Sequence, residues 1–102
     1  MDIGKRFDEI LQHVKHPSEL RPNSMLDPFV LGSQEDDQSS EILFCTQEWE
    51  KNQRDEIHGG AIASMFDTAM GVTAAAYQGT GSVSTADLQV SFIRPFLSGA
   101  FI

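Results

Sequence analysis

Residues 58–76 constrain this chain more than any other stretch. His58, Gly59 and Gly60 open a run that continues to Ala76 in small and apolar side chains on every side of a helical wheel. A helix of that kind is stable only when other structure encloses it, because no face is polar enough to rest against water. Asp67 is the single carboxylate inside the run, and no Lys or Arg lies within a helical turn of it. Burial would leave it an unpaired acid in apolar surroundings, a costly arrangement that favours a chemical role as general base or nucleophile. The structural alternative is a carboxylate hydrogen-bonded to Ser64 or to a neighbouring strand.

The two glycines bear on the same chemistry. A helix N-terminus presents backbone N–H groups without intrahelical partners, together with the positive end of the macrodipole. With no Cβ at Gly59 or Gly60, a carbonyl oxygen can approach those donors and be stabilised as an oxyanion. Tight packing of the helix start is the competing explanation. A rise of about 1.5 Å per residue places Asp67 on the order of 10 Å further along the axis, so one reacting atom cannot touch both features. A site that uses both must draw them from two chains or from two regions of one long pocket.

His58 is read as a partner of the backbone at the helix start. No second His or Cys follows it at a metal-ligand spacing, and His13 and His16 belong to the N-terminal helix and its exit, so no metal is expected. The sequence contains no Gly-x-Ser-x-Gly elbow, phosphate loop or dinucleotide fingerprint.

The rest of the chain supplies cover for that helix. Ile3, Phe7, Ile10, Leu11 and Val14 fall on one stripe and predict an amphipathic helix over residues 2–15, closed by Pro17 and Pro22. Residues 16–28 read as loop and 29–32 as a short strand. The acidic run 34–40 reads as a hairpin turn leading to a second strand over 41–49, and residues 50–56 form a polar loop. After a glycine-marked turn at 77–82, residues 83–93 alternate, with Ala86, Leu88, Val90 and Phe92 on one face and Asp87, Gln89 and Ser91 on the other. That pattern predicts a half-buried strand. Ala100, Phe101 and Ile102 begin a further strand just as the sequence stops. One domain is expected over 1–102, with an N-terminal helix and loop in 1–27 and a core in 28–102 that is incomplete if the last strand continues.

Charge narrows the partners. The formal net charge is −8, with thirteen acidic and six basic residues up to Ile57 and only Asp67, Asp87 and Arg94 beyond it. Phosphate neutralisation needs clustered Lys and Arg, so a nucleic-acid partner is not expected. Cys45 is the one cysteine, which excludes an intramolecular disulfide, fits a reducing compartment and is read as a buried thiol. The N-terminus lacks the apolar core of a secretory signal, and a helix carrying Asp67 among Ala, Gly and Thr is a poor membrane span. A cytoplasmic protein without a membrane partner is expected.

Asn52, five residues, His58-Gly59-Gly60, six residues and Asp67, followed by a glycine-rich turn, Ser84-Thr85-Ala86-Asp87-Leu88-Gln89-Val90-Ser91-Phe92-Ile93-Arg94-Pro95 and Gly99, resemble the hotdog-fold acyl-CoA thioesterases of the phenylacetate-pathway (PaaI-like) group. The resemblance covers residues 28–102. It implies an α+β hotdog fold, an antiparallel sheet wrapped around a long central helix, and assembly as a homodimer or dimer of dimers. It further implies thioester hydrolysis at the dimer interface, with Asp67 as base or nucleophile and the partner's Gly59 N–H on the carbonyl oxygen. Asn52 would orient the water or the carbonyl, and Thr85 would hold the water. His58, Gly60, Phe66, Met70 and Arg94 would contact substrate, and CoA would enter only as part of that substrate, with no separate cofactor.

Two departures stand out. Asp55 occupies a position where the family commonly has glycine, and family members usually continue with further strands. The chain is then a shortened member, or copies supply the missing strands, or the sheet is small. A non-catalytic hotdog module that binds an acyl or aromatic molecule, or a protein, is the alternative function, favoured by the acidity of the chain because Lys51, Arg54 and Arg94 are the only bases near the expected site.

Overall fold

An apolar helix needs cover, and two layers supply it. The computed structural model of the chain describes residues 2–14, 20–79 and 83–102. Helix α1 spans Ile3–Val14 and a short helix α2 spans Pro22–Leu26. Strands β1 (Phe29–Gln34) and β2 (Ser39–Cys45) form a hairpin, a 3-10 turn covers Glu48–Glu50, the long helix α3 runs Gly59–Gln78, and β3 (Ala100–Phe101) closes the order.

Helix α3 buries Ile62, Met65, Thr68, Val72, Ala75 and Ala76, positions three or four apart that form one stripe. Helix α1 lies on that stripe through the apolar positions its spacing predicts, with Phe7 1% exposed and Ile10 buried. Phe7 meets Tyr77 edge to face at 5.9 Å. The helix ends at Gly79, whose φ of 71° is the left-handed cap conformation open to glycine, and whose N–H bonds the Ala75 carbonyl.

The sheet is antiparallel, in the order β1-β2-β3. Acidic residues 35–37 form the hairpin turn, and Gln38 adopts a positive φ. Ile42 and Phe44 of β2 point into the core while Glu41 and Cys45 point out, so the period of two that builds the strand also exposes the thiol expected to be buried. Phe44 and Cys45 pair with Phe101 and Ala100. The Tyr77 hydroxyl lies 2.9 and 2.8 Å from the carbonyl oxygens of Gln34 and Ser39, tying the last turn of α3 to the turn end of the hairpin.

Further expectations need correction. Residues 83–93 form no strand: their backbone finds no neighbouring edge among the described residues, and alternation specifies faces but not a partner to bond with. The loop after α1 contains α2, started by Pro22 at its first turn and stopped by Asp27 in the left-handed region. The cover on α3 is thin, as expected for a core with few strands, and Phe66 and Met70 remain exposed. The expectations for His16, Pro17 and residues 80–82 lie outside the described residues. Among the described residues no helix is long and apolar enough to cross a membrane.

Phe7 is the side chain on which the contact of α1 with α3 most depends. Phe7→Ala should cost about 3–5 kcal/mol of unfolding free energy, measured by urea denaturation, as deletion of a fully enclosed ring does.

Candidate active site

Helix α3 carries two chemically distinct positions, its start and its middle, and the residues that open it decide the first. His58 is the N-cap, and its Nδ1 accepts the Gly60 N–H at 2.8 Å, the backbone role expected for it. An accepting Nδ1 is unprotonated, so in the neutral ring the proton sits on Nε2. The His58 carbonyl accepts the Ala61 and Ile62 N–H groups. Gly59 N–H alone among these first donors makes no hydrogen bond with the described residues. The Phe92 ring lies against Gly59, where a Cβ would come within 3.3 Å of Cζ.

Asn52 reaches the same end through its loop. Its Oδ1 accepts the Arg54 and Glu56 N–H groups at 2.9 and 3.1 Å, which folds residues 52–56 into a tight turn and leaves Nδ2 as the part of the amide free to donate outward. Asp55 holds a φ of 58° in that turn. This is the physical reason a glycine suits the position, and Asp is among the few other residues that tolerate it. Asn52, Gly59, Phe92 and Arg94 line one cleft of about 300 Å³. Lys51 pairs with Glu48 and Arg54 approaches Glu56, whereas Arg94 is exposed with no ion pair among the described residues.

Asp67, near the middle of α3, marks the second. It is half-buried, not enclosed, and its Oδ1 accepts the Thr85 hydroxyl. Ser64 bonds back to the Gly60 carbonyl instead of to Asp67, so the structural alternative through Ser64 is not realised. Asp67 and Thr85 line a cavity of about 230 Å³ whose other walls include His13 of α1, Asn23 of α2 and Thr68. Eight residues separate Gly59 from Asp67, about 12 Å of helix axis, and the two open into different cavities of the chain.

The remaining expected contact residues divide further. Phe66 and Met70 line a different cavity from Asp67, an apolar groove of about 640 Å³ shared with Ile42, Phe44 and Phe101, where Phe66 and Phe101 stack edge to face at 5.3 Å. His58 and Gly60 line a fourth cleft, beside Trp49 and Glu50. The chain therefore brings together Asp67 with Thr85, and Gly59 with Asn52 and Arg94, and keeps Phe66 and Met70 apart from both.

Residues 56–101 match the family model described as the thioesterase superfamily, somewhat less than half of the chain. No curated protein and no solved structure matches it. The matched segment holds α3 with both of its ends, Thr85 and β3. The antiparallel three-stranded sheet and the central helix form an α+β architecture of the hotdog kind, and the match supports a thioesterase-like domain.

Sequence reasoning missed Glu50, which is 1% exposed. Its Oε1 accepts the Gln47 N–H at 2.8 Å and its Oε2 has no partner. The signal was Gln47 followed three residues later by Glu50, a pattern that caps a helical turn. Desolvation pushes the Glu50 carboxyl up, against a smaller opposing effect of the Gln47 backbone hydrogen bond. The folded state therefore holds the proton more tightly than the unfolded chain. The resulting stability is full below the ordinary glutamate range and is lost as pH rises through the folded-state value. Glu50→Gln keeps the acceptor and removes the charge. Thermal melts across pH should show wild-type Tm falling through that window and the variant's Tm flatter and higher at neutral pH.

Proposed function

We propose that this chain hydrolyses acyl-CoA or aryl-CoA thioesters, at sites formed between two copies. The observation that carries the reading is the pairing of the Thr85 hydroxyl with the Asp67 carboxylate. Thr85 gives its proton to Asp67 and so keeps its own oxygen available to a water, while the carboxylate is held ready to take a proton from that water. The Gly59 N–H, at the positive end of α3 and without a partner among the described residues, is the group to receive the developing oxyanion.

A distance of about 12 Å along one rigid helix prevents these groups from serving one carbonyl in the same chain. Two copies solve this if the Gly59 end of one meets the Asp67 side of the other. Phe92, Ile93, Leu97 and Ile102 are all more than half exposed, an apolar surface that a second copy would cover, and residues 83–93 offer an unpaired backbone to it. A dimer of dimers extends the same logic. In this reading Asn52 and Arg94, beside Gly59, meet the carbonyl and the CoA phosphates, His58 and Gly60 shape the helix end, and Phe66 and Met70 contact acyl carbon. The reaction needs no metal or cofactor beyond the CoA of the substrate, and the protein works in the cytoplasm without nucleic acid or membrane.

Thiol release from short, medium and aryl acyl-CoAs tests the chemistry. Asp67→Asn should lower turnover by about 100-fold or more, the scale of a lost general base. Turnover equal in wild type and variant across the panel removes the hydrolase reading, and ligand-induced thermal stabilisation without turnover would favour a binding module. Light scattering at micromolar concentration should give at least a dimer, and a monodisperse monomer would rule out the shared site.

A further inference from the structure

The cavity beside Asp67 is not built by the matched segment alone. Its far wall comes from α1 and α2, which lie outside residues 56–101, and its lining is predominantly polar, through His13, Asn23, Thr68 and Thr85 around the carboxylate. Its volume of about 230 Å³ has room for several water molecules at roughly 30 Å³ each. Inside it, one hydrogen bond fixes the orientation of a group. Thr68, only 5% exposed, donates its hydroxyl proton to Asn23 Oδ1 at 2.6 Å. With Oδ1 engaged, the amide turns its two Nδ2 protons away from Thr68.

We infer that Asn23, locked by Thr68, holds the attacking water in the Asp67 cavity together with Thr85, so that the N-terminal segment is part of the active site. The inference rests on the thioester-hydrolase reading of Asp67. Counting hydrogen-bond capacity supports it. A water has two protons and two lone pairs. Asp67 accepts one proton, and the Thr85 oxygen, having given its own proton to Asp67, accepts the other. One lone pair must be tied down for the water to be oriented and one must stay free to attack. Asp67 and Thr85 supply the two acceptors, and Asn23 Nδ2 supplies the single donor. His13 lines the same cavity but can be donor or acceptor as it changes tautomer, so it fixes nothing by itself.

The step balances as a hydrolysis. The water oxygen bonds to the thioester carbonyl carbon as one proton passes to Asp67. The C–S bond then breaks, the Asp67 proton goes to the departing sulfur, and the product acid ionises to solvent. Asn23 keeps its protons throughout, and Thr68 acts only through Asn23 as a positioning residue.

Steady-state kinetics of four variants of the full chain test the assignment, on whichever acyl-CoA the wild type turns over. Asn23→Ala should lower kcat about tenfold, the effect of one lost positioned hydrogen bond, with KM within about twofold. Thr68→Val should match it, Thr68→Ser should retain wild-type kcat, and the double variant Asn23→Ala/Thr68→Val should be no slower than either single one. A structural role for Thr68 would lower thermal stability without this split. Because Asn23 is exposed, its truncation leaves the core intact. An active wild type whose Asn23→Ala variant keeps its kcat, or loses only KM, overturns the inference and leaves the hydrolase reading standing. A wild type inactive on the whole acyl-CoA panel overturns both.

Discussion

Everything in this chain answers to one constraint: a 20-residue helix with almost no polar face must be kept from water by about eighty other residues. Helix α1 and the sheet do so from two sides, and Phe7, Phe44 and Met65, none more than 1% exposed, are where the layers meet. Burying such side chains is worth about 1.5–3 kcal/mol each relative to exposure, the largest favourable contribution available to a small core. The cover runs out on the side of Phe66 and Met70, and among the apolar residues left exposed on residues 83–102 Phe92 lies against Gly59 at the start of the helix. The surface that the fold leaves open and the surface that a shared site needs belong to the same part of the chain.

That constraint also separates the two half-sites. A helix is stiff along its axis, so the free Gly59 N–H and the Thr85-bound Asp67 are held at a fixed separation and cannot drift together. Asn52, although in line with Gly59, spends its carbonyl oxygen on the turn that positions it. Each functional group is therefore partly consumed by the local structure that aims it, and what remains free on each one defines its chemistry.

Much of this was legible in the sequence wherever the determining interaction is local. The α1 stripe, the acidic hairpin turn, the extent of α3 and the backbone role of His58 each follow from spacing within a few residues. Reading failed where the deciding partner is distant. The alternation of residues 83–93 names an inward face, yet a strand is made by a neighbour's hydrogen bonds, and no pattern inside the segment identifies that neighbour. The residue type of Cys45 favours burial, while its place in the β2 alternation with Ile42 and Phe44 turns it outward. Asn23 and Thr68 are 45 residues apart, and nothing in either neighbourhood announces that they touch.

The Tyr77 hydroxyl, seated between the two carbonyls that flank the hairpin turn, sits ten residues from Asp67 on the same helix. A helix resists torsion as well as bending, so that anchor sets the compass bearing of every side chain upstream of it. Were the hairpin to slip by one residue, its inward and outward faces would exchange, and the tyrosine's seat would move with them. The rotation transmitted along the rod would swing the carboxylate away from Thr85. The orientation of the Asp67 carboxylate is thus tied to a turn of acidic, solvent-facing residues that lies outside its cavity.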